Sequence, residues 1–333
     1  MASMGTAVVV GSVLELGFLH VMRRFPGQGV PEILADRLPR WLCAALLSIA
    51  AAVLMIQGIQ TVAGFTVVIN RFISPDIKVI YLLMFTVLLA WLGATRSTKT
   101  VLILTEISLL LNVPLVVVLL LKSIGGTMMD WDAVMTIANH LPFAPTYKGV
   151  AAASFVFFGF TPLSVMNRLL TADMKWRGRW ILPILGMFTL LASFFIPIGY
   201  HGTEAIENYV YPWTTTSDSL EMEYGLIERA IFIFSSLYLN LSMLYAIVAW
   251  HVALEWFKGG FSKKRHVNPD QTERPLLIKI ICGVFVILAF MYVKLLNEQQ
   301  FFEFGAFVHE WNFGIEAVLV ALLIYIGWGR KAA

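Results

Sequence analysis

The residues best placed to do chemistry lie in the middle of one apolar stretch, 149–170, GVAAASFVFFGFTPLSVMNRLL. The stretch is long enough to cross a bilayer, but its centre reads Phe158-Gly159-Phe160-Thr161-Pro162. Glycine loosens a helix, and proline removes a backbone donor and clashes with the preceding turn. The expectation is a helix interrupted at mid-depth, which membranes tolerate only where protein buries the freed groups or they line a polar cavity. Carbonyls near Phe158 and Gly159 would suit an ammonium. N–H groups near Phe160 and Thr161, at the start of the second half-helix, would suit a carboxylate, and the Thr161 hydroxyl could add a donor. The plainer alternative is a Pro-kinked helix whose free groups are satisfied by water or by neighbouring helices.

Other polar residues fall inside apolar runs. Gln57, Gln60 and Thr61 have helical spacing, with Gln57 and Thr61 on one face. They could line a pocket or hydrogen-bond to a neighbouring helix, as polar groups in membranes commonly do. Ser235, Tyr238 and Ser242 form a second stripe with the same two readings. Intramembrane carboxylates are costly and raise the question of protons. Glu106 could be a proton site or could pair with a nearby arginine. Glu15 and Glu316 pose the same question, and Glu15 lies deeper in its span than Glu106. No metal-ligand spacing, nucleophile elbow or phosphate loop occurs, so the sequence gives no reason to expect an enzyme, a metal or a cofactor. Cys43 and Cys282 lie within apolar spans and read as core residues.

The elements that must position these groups follow from composition. Of 333 residues, 59% are hydrophobic and 14% charged, whereas a soluble domain carries about 25% charged residues. The chain reads as an all-α, polytopic membrane protein in contact with lipid, forming a single transmembrane domain over 1–333, with no nucleic-acid partner. Nine candidate spans are expected at about 5–22, 41–69, 77–94, 101–121, 149–169, 180–200, 226–257, 276–296 and 311–329. Most lysines and arginines fall in one set of loops, including Arg23-Arg24, Arg37, Arg40, Arg96, Lys99, Arg168 and the KGGFSKKRH segment. The positive-inside rule puts that side, with the C-terminus, in the cytoplasm.

With this orientation the first span runs inward from an outer start. One preceding helix would repair this and bring the total to ten. The interrupted span would then be the sixth, opening a second half of five. Inverted five-helix repeats place two broken helices at corresponding positions, first and sixth. The expected architecture is therefore LeuT-like, with nine helices visible and the first of ten missing upstream of Met1.

Several segments carry a resemblance. LHVMRRFPGQGVPEILADRLPRWL looks like the "rfP-g-s-ieil---lg-wl" inner loop of the GerAB/ArcD/ProY family of spore germination permeases, which belongs to the amino acid–polyamine–organocation superfamily. LTEISLLLNVPLVV with Glu106, the FxFFGF core, and YPWTTTSDSLEMEYGLIERAIFIFSSLY with Glu228 and Arg229 resemble the same family, in order and spacing. The resemblance implies two inverted five-helix repeats around a mid-membrane pocket that binds a small amino acid or similar germinant. It also implies partners, a lipoprotein and a larger membrane subunit, in a receptor in the cell membrane or the spore inner membrane. A proton-coupled secondary amino acid transporter is the alternative. The sequence departs from the family where Thr161 follows Gly159-Phe160 in place of a frequent acidic residue. The residues expected at the ligand are Phe158, Gly159, Phe160, Thr161, Gln57, Ser235 and Tyr238, with Glu15 and Glu106 as possible proton sites.

Overall fold

The computed structural model describes residues 1–139, 144–171, 178–220, 230–261 and 276–328. Every regular element among them is helical. In chain order these are α1 (Ala2–Met22), α2 (Val30–Arg37), α3 (Arg40–Phe72), α4 (Val79–Ala94), α5 (Thr98–Ile124), α6 (Trp131–Ala138), α7 (Tyr147–Ser154), a 3-10 turn (Phe155–Phe160), α8 (Leu163–Met166), α9 (Ile181–Ala205), α10 (Pro212–Ser219), α11 (Ala230–Phe261), α12 (Leu276–Leu295) and α13 (Glu298–Gly327). Seven segments are long and apolar enough to cross a membrane: α1, α3, α5, Tyr147–Leu169, Ile181–Asn208, α11 and α13. Two further apolar helices are shorter, α4 and Ile280–Leu295. The apolar side chains of Leu110, Leu121, Ile184 and Val318 point outward, as lipid contact requires, and helices are the form in which a spanning segment can pair its backbone internally. The protein is an integral, multi-pass helical membrane protein.

The structure moves one boundary far from its expected place. α13 begins at Glu298, not 311. Its first turns, EQQFFEFGAFVHE, carry enough polar residues to read as a loop. A reciprocal cap starts the helix instead: Asn297 Oδ1 accepts from the Gln300 N–H at 2.9 Å, and Gln300 Oε1 accepts from the Asn297 N–H at 3.1 Å. Asn312 and Glu316 therefore sit deep in a 30-residue helix, about 20 Å or more from its start. The Glu228-Arg229 pair and the KKRH part of the basic loop lie outside the described residues.

The centre of the fold is the pairing of α3 with α11. Small residues set its closeness. A Cβ on Gly58 would fall 2.4 Å from the Trp250 indole nitrogen, which donates to the Met55 carbonyl at 3.2 Å. Nearer the basic end, Gly260 lies against the Ala44 backbone. His251 fixes α11 to the turn between α4 and α5. Its Nδ1 lies 2.9 Å from the Ala94 carbonyl, so Nδ1 carries the hydrogen, and Nε2 accepts from the Thr98 hydroxyl at 3.1 Å.

Candidate functional site

The Phe158–Pro162 stretch changes pitch without breaking. Phe155, Thr161 and Pro162 all keep right-handed helical angles. Pro162 cannot donate to the Phe158 carbonyl four residues back, so an α-helical bond is impossible there. The chain tightens to i→i+3 bonds instead, and the Thr161 N–H reaches the Phe158 carbonyl at 3.1 Å. This corrects one expectation. The Phe158 carbonyl is not free, because the Thr161 hydroxyl also lies 3.0 Å from it. The Gly159 carbonyl loses its i+3 donor, since Pro162 has no N–H.

The pitch change sorts the side chains. In a 3-10 helix, residues three apart eclipse. Phe157 and Phe160 point toward α1: Phe160 stacks on Phe18 with ring centroids 4.7 Å apart. Phe157 is seated between glycines, and a Cβ on Gly11 or Gly186 would come within 2.6 or 2.8 Å of its ring. Phe155, Phe158 and Thr161 share another face, toward α11 and α13. Phe155 lies 5.9 Å from Tyr245 and Phe158 lies 6.1 Å from Phe313.

That second face borders a cavity of about 370 Å³. Its walls are Phe155, Val156, Phe158, Gly159, Thr161 and Pro162 from the turn, Leu54 and Gln57 from α3, Thr189 from α9, Tyr245, Val248, Ala249 and Val252 from α11, and Asn312 from α13. Cavities that bury small ligands span about 300–1,000 Å³ and are mostly apolar with a few polar groups, so this one is small. Gln57 accepts from the Tyr245 hydroxyl at 3.2 Å, while its buried Nε2 has no partner and is an available donor. Behind the wall, Glu316 Oε1 lies 2.8 Å from the Thr161 hydroxyl, and Glu316 Oε2 is buried without a partner.

The structure thus brings together Phe158, Gly159, Thr161 and Gln57. It does not bring Phe160, which packs on α1. Ser235 and Tyr238 are on α11 but do not line this cavity; Tyr238 packs against Phe65 and Phe234. The wall residue is Tyr245, seven positions further along the same helix, about 10 Å deeper. Glu106 has an exposed side chain on α5 and belongs to the outer surface of the bundle. Glu15 is buried but is not in the cavity lining. The expected 311–329 span already holds Asn312 and Glu316; by sequence, Glu316 stands out only as an intramembrane carboxylate and Asn312 is not singled out. What the boundary misses is the 298–310 start of α13, which the Asn297/Gln300 capping pattern could have revealed.

Below the cavity, toward the basic end, the bundle is closed by a buried ion cluster. Arg168, just past α8, grips Glu32 of α2 with two nitrogens at 2.7 and 3.2 Å and Glu255 of α11 with a third at 2.5 Å. Lys258 completes the cluster, 2.8 Å from Glu255. Glu32 also accepts the Gly29 N–H at 2.7 Å, capping α2. The Trp256 indole donates to Ser164 at 3.0 Å, and Asn167 donates to the Phe25 and Gln28 carbonyls, each at 2.8 Å. By sequence, Arg168 counts among the basic residues of the loops on one side of the membrane. Its side chain is 3% exposed, because α8 ends underneath α11.

A family model described as spore germination protein, of the spore permease type, matches residues 6–300. No curated protein matches the sequence at a significant level. The match spans most of the membrane helices, the whole of the pitch-changing segment and every cavity-lining residue except Asn312. A membrane-helical protein with this match belongs to the spore germination permease family.

Proposed function

We propose that this chain is the amino-acid-binding membrane subunit of a bacterial spore germinant receptor. The observation that carries the reading is the small cavity at the 3-10 turn, walled by helices from both ends of the chain. At one edge the turn places Gly159, whose carbonyl has no i+3 donor because Pro162 lacks an N–H. At another, Gln57 presents an unpartnered amide. An ammonium suits the first and a carboxylate the second. The reading includes an arrangement of inverted five-helix repeats, a cytoplasmic basic end with the C-terminus inside, residence in the cell membrane or spore inner membrane, and assembly with a lipoprotein and a larger membrane subunit. It assigns no enzymatic step.

One observation favours a second reading, a proton-coupled amino acid transporter. Glu316 is a buried acid one hydroxyl away from the cavity, and such groups mark proton routes in transporters. Uptake of labelled amino acids into vesicles, with binding measured in parallel, separates the two. Binding without accumulation supports the receptor subunit. Saturable accumulation that collapses with the proton gradient supports the transporter. Absence of any saturable amino acid binding refutes both.

A further inference from the structure

The Thr161 hydroxyl has one hydrogen and two acceptors, the Phe158 carbonyl at 3.0 Å and Glu316 Oε1 at 2.8 Å. Both contacts are hydrogen bonds at once only if Glu316 supplies a second hydrogen. Glu316 O–H then donates to Thr161 Oγ1, and Thr161 O–H donates to Phe158. Glu316 is 2% exposed, and among the described residues no lysine, arginine or histidine lies within ion-pair distance of it. The titratable groups on the elements packed against α13 are Glu15 and His20 on α1, Tyr147 and Lys148 on α7, and Arg40, Cys43 and Arg71 on α3. Tyr245 faces Glu316 from α11, and His309 and Glu310 share its helix. None of these hydrogen-bonds to Glu316. The cavity lining itself holds no Lys, Arg, His, Asp or Glu.

We infer that Glu316 is a proton-binding site that balances the charge of whatever occupies the cavity. The inference rests on the proposed reading of that cavity as an amino acid site. An unpaired charge is expensive at this depth, so the site stays neutral overall. A zwitterion enters with the Glu316 proton retained. A monocation enters with the proton released: the Glu316 O–H bond breaks, the proton leaves to water, and the carboxylate accepts the O–H of Thr161, while the Phe158 carbonyl keeps the Thr161 N–H. A monoanion, with no basic group to meet it, is excluded. Recognition is therefore selective for primary ammonium compounds of net charge zero or plus one.

The test uses the full chain in neutral-lipid nanodiscs with three probes: L-alanine, L-alaninamide and N-acetyl-L-alanine. Titration calorimetry in two buffers of different ionisation heat counts protons. The expected result is release approaching one proton per L-alaninamide, none with L-alanine, and no binding of the anion. Glu316→Gln, which can still donate to Thr161, should keep L-alanine binding. It should bind L-alaninamide about tenfold or more weakly, with no proton released. Equal proton counts for the two amines, or unchanged L-alaninamide binding in Glu316→Gln, would overturn the inference. An infrared carboxylic-acid band, present without ligand in the native protein and lost in Glu316→Gln, reads the proton directly. Its absence from the native protein would overturn the proton site. The band together with no binding of any probe would leave the proton site standing and remove the amino acid reading of the cavity.

Discussion

Replacing Arg168 by methionine should destabilise the protein far more than the loss of one charge near a loop would suggest. The change keeps an unbranched apolar side chain, shorter than that of arginine, and removes the donors. It strands Glu32 and Glu255, whose side chains are 10% and 9% exposed. Deleting one partner of a buried ion pair costs about 3–5 kcal/mol. Lys258 still neutralises Glu255 at 2.8 Å, and Glu32 still accepts the Gly29 N–H. The cost should therefore fall near the lower end, about 3 kcal/mol. For a large domain that corresponds to a drop of about 5–10 °C in melting temperature, measured at one scan rate in one detergent because membrane proteins often unfold irreversibly. The informative control adds Glu32→Gln and Glu255→Gln to the same chain. If the penalty comes from stranded carboxylates, neutralising both should recover at least half of the loss. An Arg168→Met protein melting within about 2 °C of the native one, or a triple variant no better than the single, would refute the buried-cluster reasoning.

Two further outcomes follow from the packing and the charge pattern. Gly11→Ala and Gly186→Ala each place a methyl within 2.6–2.8 Å of the Phe157 ring, and overpacking of this kind costs about 1–3 kcal/mol. Both should weaken amino acid binding through displacement of the 3-10 turn, and adding Phe157→Leu should restore it; equal binding in all variants would argue against the ring as a clamp. Glu207→Cys, in an exposed turn at the acidic end, should react with an impermeant thiol reagent from outside intact cells. Arg37→Cys should react only after permeabilisation, with the buried native Cys43 and Cys282 silent. Reversed accessibility would invert the proposed topology.

Much of the helical layout is legible in the sequence, because apolar runs long enough to cross lipid leave few alternatives. The irregular character of the 158–162 segment was legible too, from glycine and proline in an apolar context. Its form was not. A proline at 162 rules out one α-helical bond but does not choose between unwinding and tightening, and that choice depends on Phe157 fitting against Gly11 and Gly186. These glycines lie in other helices and have no local signature. The ion cluster is equally hidden: Arg168 finds Glu32 and Glu255 at sequence separations of 136 and 87, and pattern reading registers only a basic loop. On α13 the 311–329 part, with Asn312 and Glu316 in it, was legible as a span, and the 298–310 turns before it were not. Polar residues on one face of a buried helix look like a loop until the Asn297/Gln300 cap is weighed.

The central claim is that the cavity beside the 3-10 turn holds a small ligand, and Gly159 is where that can be tested with least disturbance. A Cβ at Gly159 meets nothing within 4 Å, and Gly159 lines the cavity, so Gly159→Leu adds bulk at the cavity wall without an immediate clash at its Cβ. Binding of labelled amino acids to the native and Gly159→Leu proteins should be measured side by side with their melting curves. The account predicts saturable binding in the native protein and its loss in the variant, with insertion and melting temperature preserved. Equal affinity in the two proteins would place the ligand elsewhere and contradict the account.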